Sequence, residues 1–178
     1  VSHGGGGNLD SYIYLARHLA GHGYVVLCVE HVFSNADRIK FLMSRAGGKL
    51  KFSEALHKIT TDPNAVLERP KDIRFAIDTA IELNKNDKRL KGKMDTKKIG
   101  LVGHSFGAYT TLVCCGARPI LDYLVPKVGP GKGLSKDLSE SRIRFGIAMS
   151  PQSPGGTYFN KDSFKTINQP AVLGSGCD

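Results

Sequence analysis

Apolar and polar positions along the chain follow two periods. Residues 24–29 (YVVLCV) form a continuous apolar run behind Gly21 and Gly23, the pattern of a buried parallel strand. Upstream, Tyr12, Leu15, Ala16 and Leu19 recur at i, i+3, i+4 and i+7, one face of a helix. Asp10 or Ser11 is placed to cap its start, and Gly21 to end it. Pro70 suits the first turn of a second helix, with Ile73, Ala76, Ile77, Ala80 and Ile81 as its buried stripe. KIGLVG at 98–103 predicts a strand, and Ser105 to about Ala117 a third helix. RFGIAM at 144–149 and residues 171–173 predict further short strands. Two stretches, 33–68 and 122–142, lack a clear period and are expected to be irregular excursions, the first with a short helix around 52–59. Strands alternating with helices predict an α/β fold, a doubly wound, mostly parallel sheet with flanking helices.

Composition narrows the classes. The 178 residues are 40% hydrophobic and 23% charged, which suits one globular domain and excludes a disordered chain, a collagen or a coiled coil. The run at 24–29 is far too short to span a bilayer, so stable membrane insertion is not expected. The net charge is +9, and much of the excess lies in Lys85, Lys88, Arg89, Lys91, Lys93, Lys97 and Lys98. No aromatic interleaves with these cations, as single-strand binding would require. They read as a solvated surface, and no nucleic-acid partner is expected. Cysteines stand at 28, 114, 115 and 177, without zinc-ligand spacing. Cys28, Cys114 and Cys115 fall in apolar segments and read as buried thiols. The chain begins at Val1 rather than Met, and the compartment stays open, cytoplasmic or exported.

The strongest chemical signal is Gly103-His104-Ser105-Phe106-Gly107, between a predicted strand and a predicted helix. A serine hydroxyl is a weak nucleophile until a base takes its proton. A sharp strand-to-helix turn lifts its oxygen above the sheet. The backbone then passes so close that only small residues fit two positions to either side, and Gly103 and Gly107 meet that need. The helix N-terminus behind Ser105 favours negative charge developing nearby.

A second signal is Ser2-His3-Gly4-Gly5-Gly6-Gly7-Asn8. Glycines ahead of a capped helix expose backbone N–H groups, for a phosphate or for an oxyanion. No G-K-S/T follows, as a nucleotide loop would require. For acyl transfer, two fixed N–H donors would hold the carbonyl oxygen: Phe106 N–H, and Gly5 N–H just after His3-Gly4.

These segments resemble the α/β-hydrolase superfamily, and within it the group similar to dienelactone hydrolases and platelet-activating-factor acetylhydrolases. The matching stretches, in order, are SHGGGGN at 2–8, HLAGHGYVVLCVEH at 18–31, RPKDIRFAID at 69–78, KIGLVGHSFGAYT at 98–110 and IAMSPQSPGG at 147–156. The resemblance implies a single α/β-hydrolase domain over 1–178, incomplete at both ends, in which 33–68 shapes the substrate pocket. It implies a hydrolase of small-molecule carboxylic esters that uses Ser105, an acid and a histidine in that chain order, without metal or organic cofactor. Asp178, after PAVLGSGC, occupies the position resembling the family's strand-then-Asp turn. Ser150 stands where the acetylhydrolase acid would be and cannot serve. Asp162 is a weaker alternative.

The histidine does not fit the pattern. All six, His3, His18, His22, His31, His57 and His104, precede Ser105. His104 neighbours the serine but is expected to point away, His3 to order the glycine loop, and His31 to approach the site from a strand end without acting as base. The resemblance therefore implies a catalytic histidine beyond residue 178 and little activity in these residues alone. Rival expectations are a thioesterase, lipase or peptidase on the same fold, since fold does not set substrate, or a ligand-binding homologue without catalysis.

Overall fold

The computed structural model describes residues 1–129 and 131–175. Its helices are α1 (Ile13–Gly21), α2 (Ala36–Arg45), α3 (Phe52–Thr61), α4 (Pro63–Asn86) and α5 (Phe106–Cys114). Its strands are β1 (Ile99–His104), β2 (Ile143–Met149) and β3 (Ala171–Gly174), with a 3-10 turn at Lys161–Phe164. The strands form a parallel sheet in the order β1-β2-β3. The architecture is thus α/β, a three-stranded parallel sheet with flanking helices.

The register positions the chemistry. His104 pairs with Met149, and Met149 with Gly174, so the three strands end level at their C-terminal edge. Ser2 adds single parallel bridges to Gly103 on one side and Val29 on the other. The Ser2 N–H donates to Val102 O at 2.8 Å, and Val29 N–H to Val1 O at 3.0 Å. The glycine loop therefore leaves the sheet at the same edge as Ser105.

Helix α5 is buried along its whole length and packs on β1 and β2. Its Phe106 and Tyr109 join Tyr158 and Phe159 in an aromatic cluster, with Tyr109 and Tyr158 centroids 4.9 Å apart. Ile73 and Ile77 of α4 close on Leu101, Ile143, Cys114 and Cys115. Ile39, Ala55 and Ile59 tie α2 to α3 in a separate small core. Each large aliphatic or phenylalanine side chain among these contributes on the order of 2 kcal/mol by leaving water.

Several sequence expectations are corrected. The run 24–29 is not a buried strand. Only Val29 pairs, through its bridge to Ser2, and Tyr24 and Val25 are 59% and 50% exposed. The N-cap of α1 is Tyr12 rather than Asp10 or Ser11. Ser11 is occupied upstream, where its Oγ accepts from Asn8 N–H at 2.9 Å. Pro70 does not open a helix. Pro63 does, behind the Asp62 cap, and Pro70 sits inside the 24-residue α4. The stretch 33–68 is not irregular but folds into α2, α3 and the start of α4. In α2, Ile39, Leu42 and Met43 keep helical spacing, Asn35 caps Arg38 N–H, and Gly47 and Gly48 end it at φ 60° and 75°. Cys28 is only half-buried, whereas Cys114 and Cys115 are buried. Burial raises both of these thiols, Cys115 to about 11, so neither is a thiolate at neutral pH.

Among the described residues, no helix is long and apolar enough to cross a membrane. The seven basic residues at 85–98 are all exposed.

Candidate active site

Ser105 stands at the junction of β1 and α5 with φ 53° and ψ −114°. Such a conformation costs a non-glycine residue roughly 1–3 kcal/mol, and it persists only where the surroundings impose it. Here they do. The Ser105 N–H donates to Met149 O at 2.9 Å, and its carbonyl accepts from Tyr109 N–H at 3.1 Å. A Cβ on Gly103 would lie 2.1 Å from Gly107 O, and one on Gly107 would lie 2.1 Å from Ser2 O. Glycine is the only residue either position can hold. Ser105 is half-buried, and its Oγ meets no hydrogen-bond partner among the described residues. The geometry presents a free hydroxyl at the head of a buried helix.

The glycine loop runs beside it. A Cβ on Gly4 would lie 3.6 Å from Ser105 Cβ and 3.4 Å from His104 O. Gly5 turns toward α3, where a Cβ would meet Leu56 Cδ1 at 2.7 Å. Among the described residues, the Gly4 and Gly5 N–H groups meet no acceptor. Gly6 N–H donates to Ser34 O, and Ala36 N–H to Gly7 O, both at 2.8 Å. The segment leading into α2 thus holds the loop from outside.

The histidines are engaged elsewhere. His104 Nδ1 lies 2.6 Å from the Tyr12 hydroxyl, turned toward α1. His3 Nε2 accepts from His31 N–H at 3.1 Å, which leaves Nδ1–H to donate to Gly4 O at 2.6 Å. Burial lowers His3 to about 4, so its ring is neutral at physiological pH. His31 Nε2 lies 2.9 Å from Ser2 Oγ, and its Nδ1 lies 2.7 Å from Asp72 Oδ2. His18 and His22 pair at the surface with ring centroids 4.4 Å apart. His57 lies on α3, where its carbonyl accepts from Thr61 Oγ1 at 2.9 Å.

Ser2, His31 and Asp72 form a second serine–histidine–aspartate line, but it has no access for a substrate. Ser2 is 0% exposed and His31 1%. The line is anchored by Arg69, which is itself 1% exposed. Arg69 Nη2 donates to Ser2 Oγ at 3.1 Å and to His3 O, Nη1 to Ser34 Oγ at 2.7 Å, and Nε to Thr110 Oγ1 at 2.7 Å. Its guanidinium lies 4.5 Å from the Phe106 ring centroid. An arginine only donates, so Ser2 gives its own proton to His31 Nε2, and His31 Nδ1–H faces Asp72. The chain of bonds joins a buried cation to a half-buried carboxylate, which offsets the penalty of burying the charge. Burial pulls Arg69 down to about 9, still protonated at pH 7, and lifts Asp72 to about 6 against the opposing pull of Arg69. No sequence motif announced this hub. The available signal was the spacing of Arg69, Ile73 and Ile77, which puts an arginine in register with the buried stripe of α4.

Asp178 lies outside the described residues. Asp162 sits at the surface, paired with Lys165 Nζ at 2.6 Å. Ser150 follows the last residue of β2 with φ 50° and is exposed. Among the described residues, no group of three His, Cys, Asp or Glu side chains could hold a metal.

No protein-family model matches the chain. The platelet-activating factor acetylhydrolase of Cavia porcellus is 25% identical over 173 residues, covering 84% of this chain and 34% of that protein. The chain spans about a third of that relative's length. This distant likeness supports a relationship to hydrolases at that coarse level.

Proposed function

We propose that the chain carries the nucleophile and oxyanion loop of an α/β-hydrolase-fold serine hydrolase acting on small carboxylic esters. The observation that carries the reading is the backbone of Ser105, held at φ 53° between two glycines whose neighbours leave no room for a side chain, with Gly4 alongside. In this mechanism Ser105 Oγ attacks the ester carbonyl while a histidine takes its proton. Phe106 and Gly5 N–H groups hold the oxyanion. Collapse expels the alcohol with that proton, and water then releases the acyl group. The six histidines of the chain are engaged elsewhere or lie on the surface, so the reading assigns the base to a residue outside these 178, oriented by Asp178. Packing of Leu56, Ile39 and Phe52 against the positions of Gly5 and Gly6 supports α2 and α3 as the walls of the acyl site.

A fluorophosphonate probe on the full-length gene product tests this. Labelling at Ser105, lost in Ser105→Ala together with p-nitrophenyl ester turnover, is the expected result. An unlabelled protein favours a ligand-binding homologue, the alternative to which the engaged histidines point. Comparing short and long acyl chains separates an esterase from a lipase.

A further inference from the structure

Arg69 touches both halves of the proposed oxyanion site. Through His3 O it holds the residue immediately before Gly4-Gly5. Through Thr110 Oγ1 it holds α5, and Thr110 Oγ1 in turn donates to Phe106 O at 3.0 Å. Its guanidinium carbon stands 4.5 Å over the centroid of the Phe106 ring. Ser34 Oγ, bonded by Nη1, belongs to the residue whose carbonyl accepts from Gly6 N–H. One rigid guanidinium fork therefore spans the loop that offers Gly5 N–H and the helix that offers Phe106 N–H. These segments are about a hundred residues apart in sequence, and near the site Ser2 also bridges to Gly103 while Ser2 O packs against Gly107.

We infer that Arg69 is a positioning residue that fixes the spacing between the two oxyanion donors, acting through His3 O and Thr110. The inference rests on the proposed acyl-transfer reading. A displacement near 1 Å at such a site can cost on the order of 100-fold in rate, because the donors must meet the oxygen where charge develops. Lysine keeps the charge but not the fork, so it cannot hold both partners. Thr110→Val keeps the shape and removes only the acceptor for Arg69 Nε and the donor to Phe106 O.

The test uses the full-length gene product with an activated ester and a trifluoromethyl ketone, whose serine adduct carries the oxyanion. Arg69→Lys and Thr110→Val are expected to lower kcat roughly 10- to 100-fold with KM within threefold. Ketone affinity should weaken by a similar factor. Full kcat per folded molecule in both variants, or a loss confined to KM, overturns the inference even while Ser105→Ala abolishes turnover. Should Arg69→Lys fail to fold, Thr110→Val decides alone. Ester turnover that survives Ser105→Ala, or none in the wild type, overturns the underlying reading and the inference with it.

Discussion

The Tyr109 hydroxyl donates to Val66 O at 3.1 Å, and Val66 is the residue whose helical partner four positions on is Pro70. A proline inside a helix removes one N–H and leaves a carbonyl orphaned. Here a side chain from α5 replaces the missing donor in a fully buried place. Burial raises the phenol well above its ordinary range, so it stays a donor at any ordinary pH.

Tyr109→Phe should therefore destabilise by about 2 kcal/mol, the cost of an unpaired buried carbonyl. In a Pro70→Ala background the helix can supply its own N–H, and the same substitution should cost about 1 kcal/mol less. Urea denaturation of the four proteins in this cycle measures the coupling. Equal costs in both backgrounds would contradict the substitution of hydroxyl for amide.

The two glycines flanking Ser105 should tolerate nothing. Gly103→Ala and Gly107→Ala each drive a methyl to 2.1 Å from a backbone oxygen, and a loss of 3 kcal/mol or more is expected. Gly21→Ala, at the end of α1 with nothing within 4 Å, should be neutral or stabilising by about 0.5 kcal/mol. Thermal midpoints of the three variants read the contrast directly.

What was legible in the sequence follows from how local each cause is. The elbow was readable because strand, glycines and helix are contiguous and the steric demand acts within five residues. α5 was readable because its apolar run is continuous. The segment at 24–29 misled because a run of apolar residues records affinity for a sheet, not the number of neighbours available to pair. α2 was hidden because its stripe is only Ile39, Leu42 and Met43 amid mixed charge, too little to stand out without the α3 side chains it packs on. Pro70 read as a helix start because the donor that makes it tolerable, Tyr109, is 39 positions away in the chain. The Arg69 hub joins residues 2, 3, 34 and 110, and no linear pattern contains it.

Glu140 offers a pH-dependent test of the far end of the fold. Its carboxylate accepts from Arg142 Nε and Nη2, both at 2.7 Å, and from Arg74 Nε at 3.4 Å. The Arg142 bonds hold it down at about 2, against an ordinary 4.5. Between those values the unfolded chain binds more protons, so the contribution is complete above about pH 4.5 and disappears as pH falls through 2. Glu140→Gln should lose about 2 kcal/mol at pH 7, with allowance for the solvent around Arg142. The gap should close at pH 2. A gap independent of pH in urea titrations would assign the effect to packing instead.

His3 carries the opposite chemistry to a similar end. Its ring is neutral in the fold with a value near 4, whereas a free imidazole takes a proton at 6.5. As pH falls below 6.5 the unfolded chain gains a proton that the fold refuses, so stability declines by about 1.4 kcal/mol per pH unit down to about 4. His31 is lowered as well, by burial first and by Arg69 and His3 next. Between about pH 4 and 6, however, Asp72 takes up a proton in the fold that its unfolded form, at 3.8, does not hold. The shift of Asp72 therefore opposes that of His31, and the two work against each other in the pH dependence of the fold. His3 has no such opposing partner among the described residues, so its contribution to the slope is uncompensated. His3→Gln, which can still accept from His31 N–H and donate to Gly4 O, should remove about one proton from the stability slope between pH 4.5 and 6. An unchanged slope in that variant would mean that His3 already carries its proton inside the fold, with Nε2 unable to accept from His31 N–H.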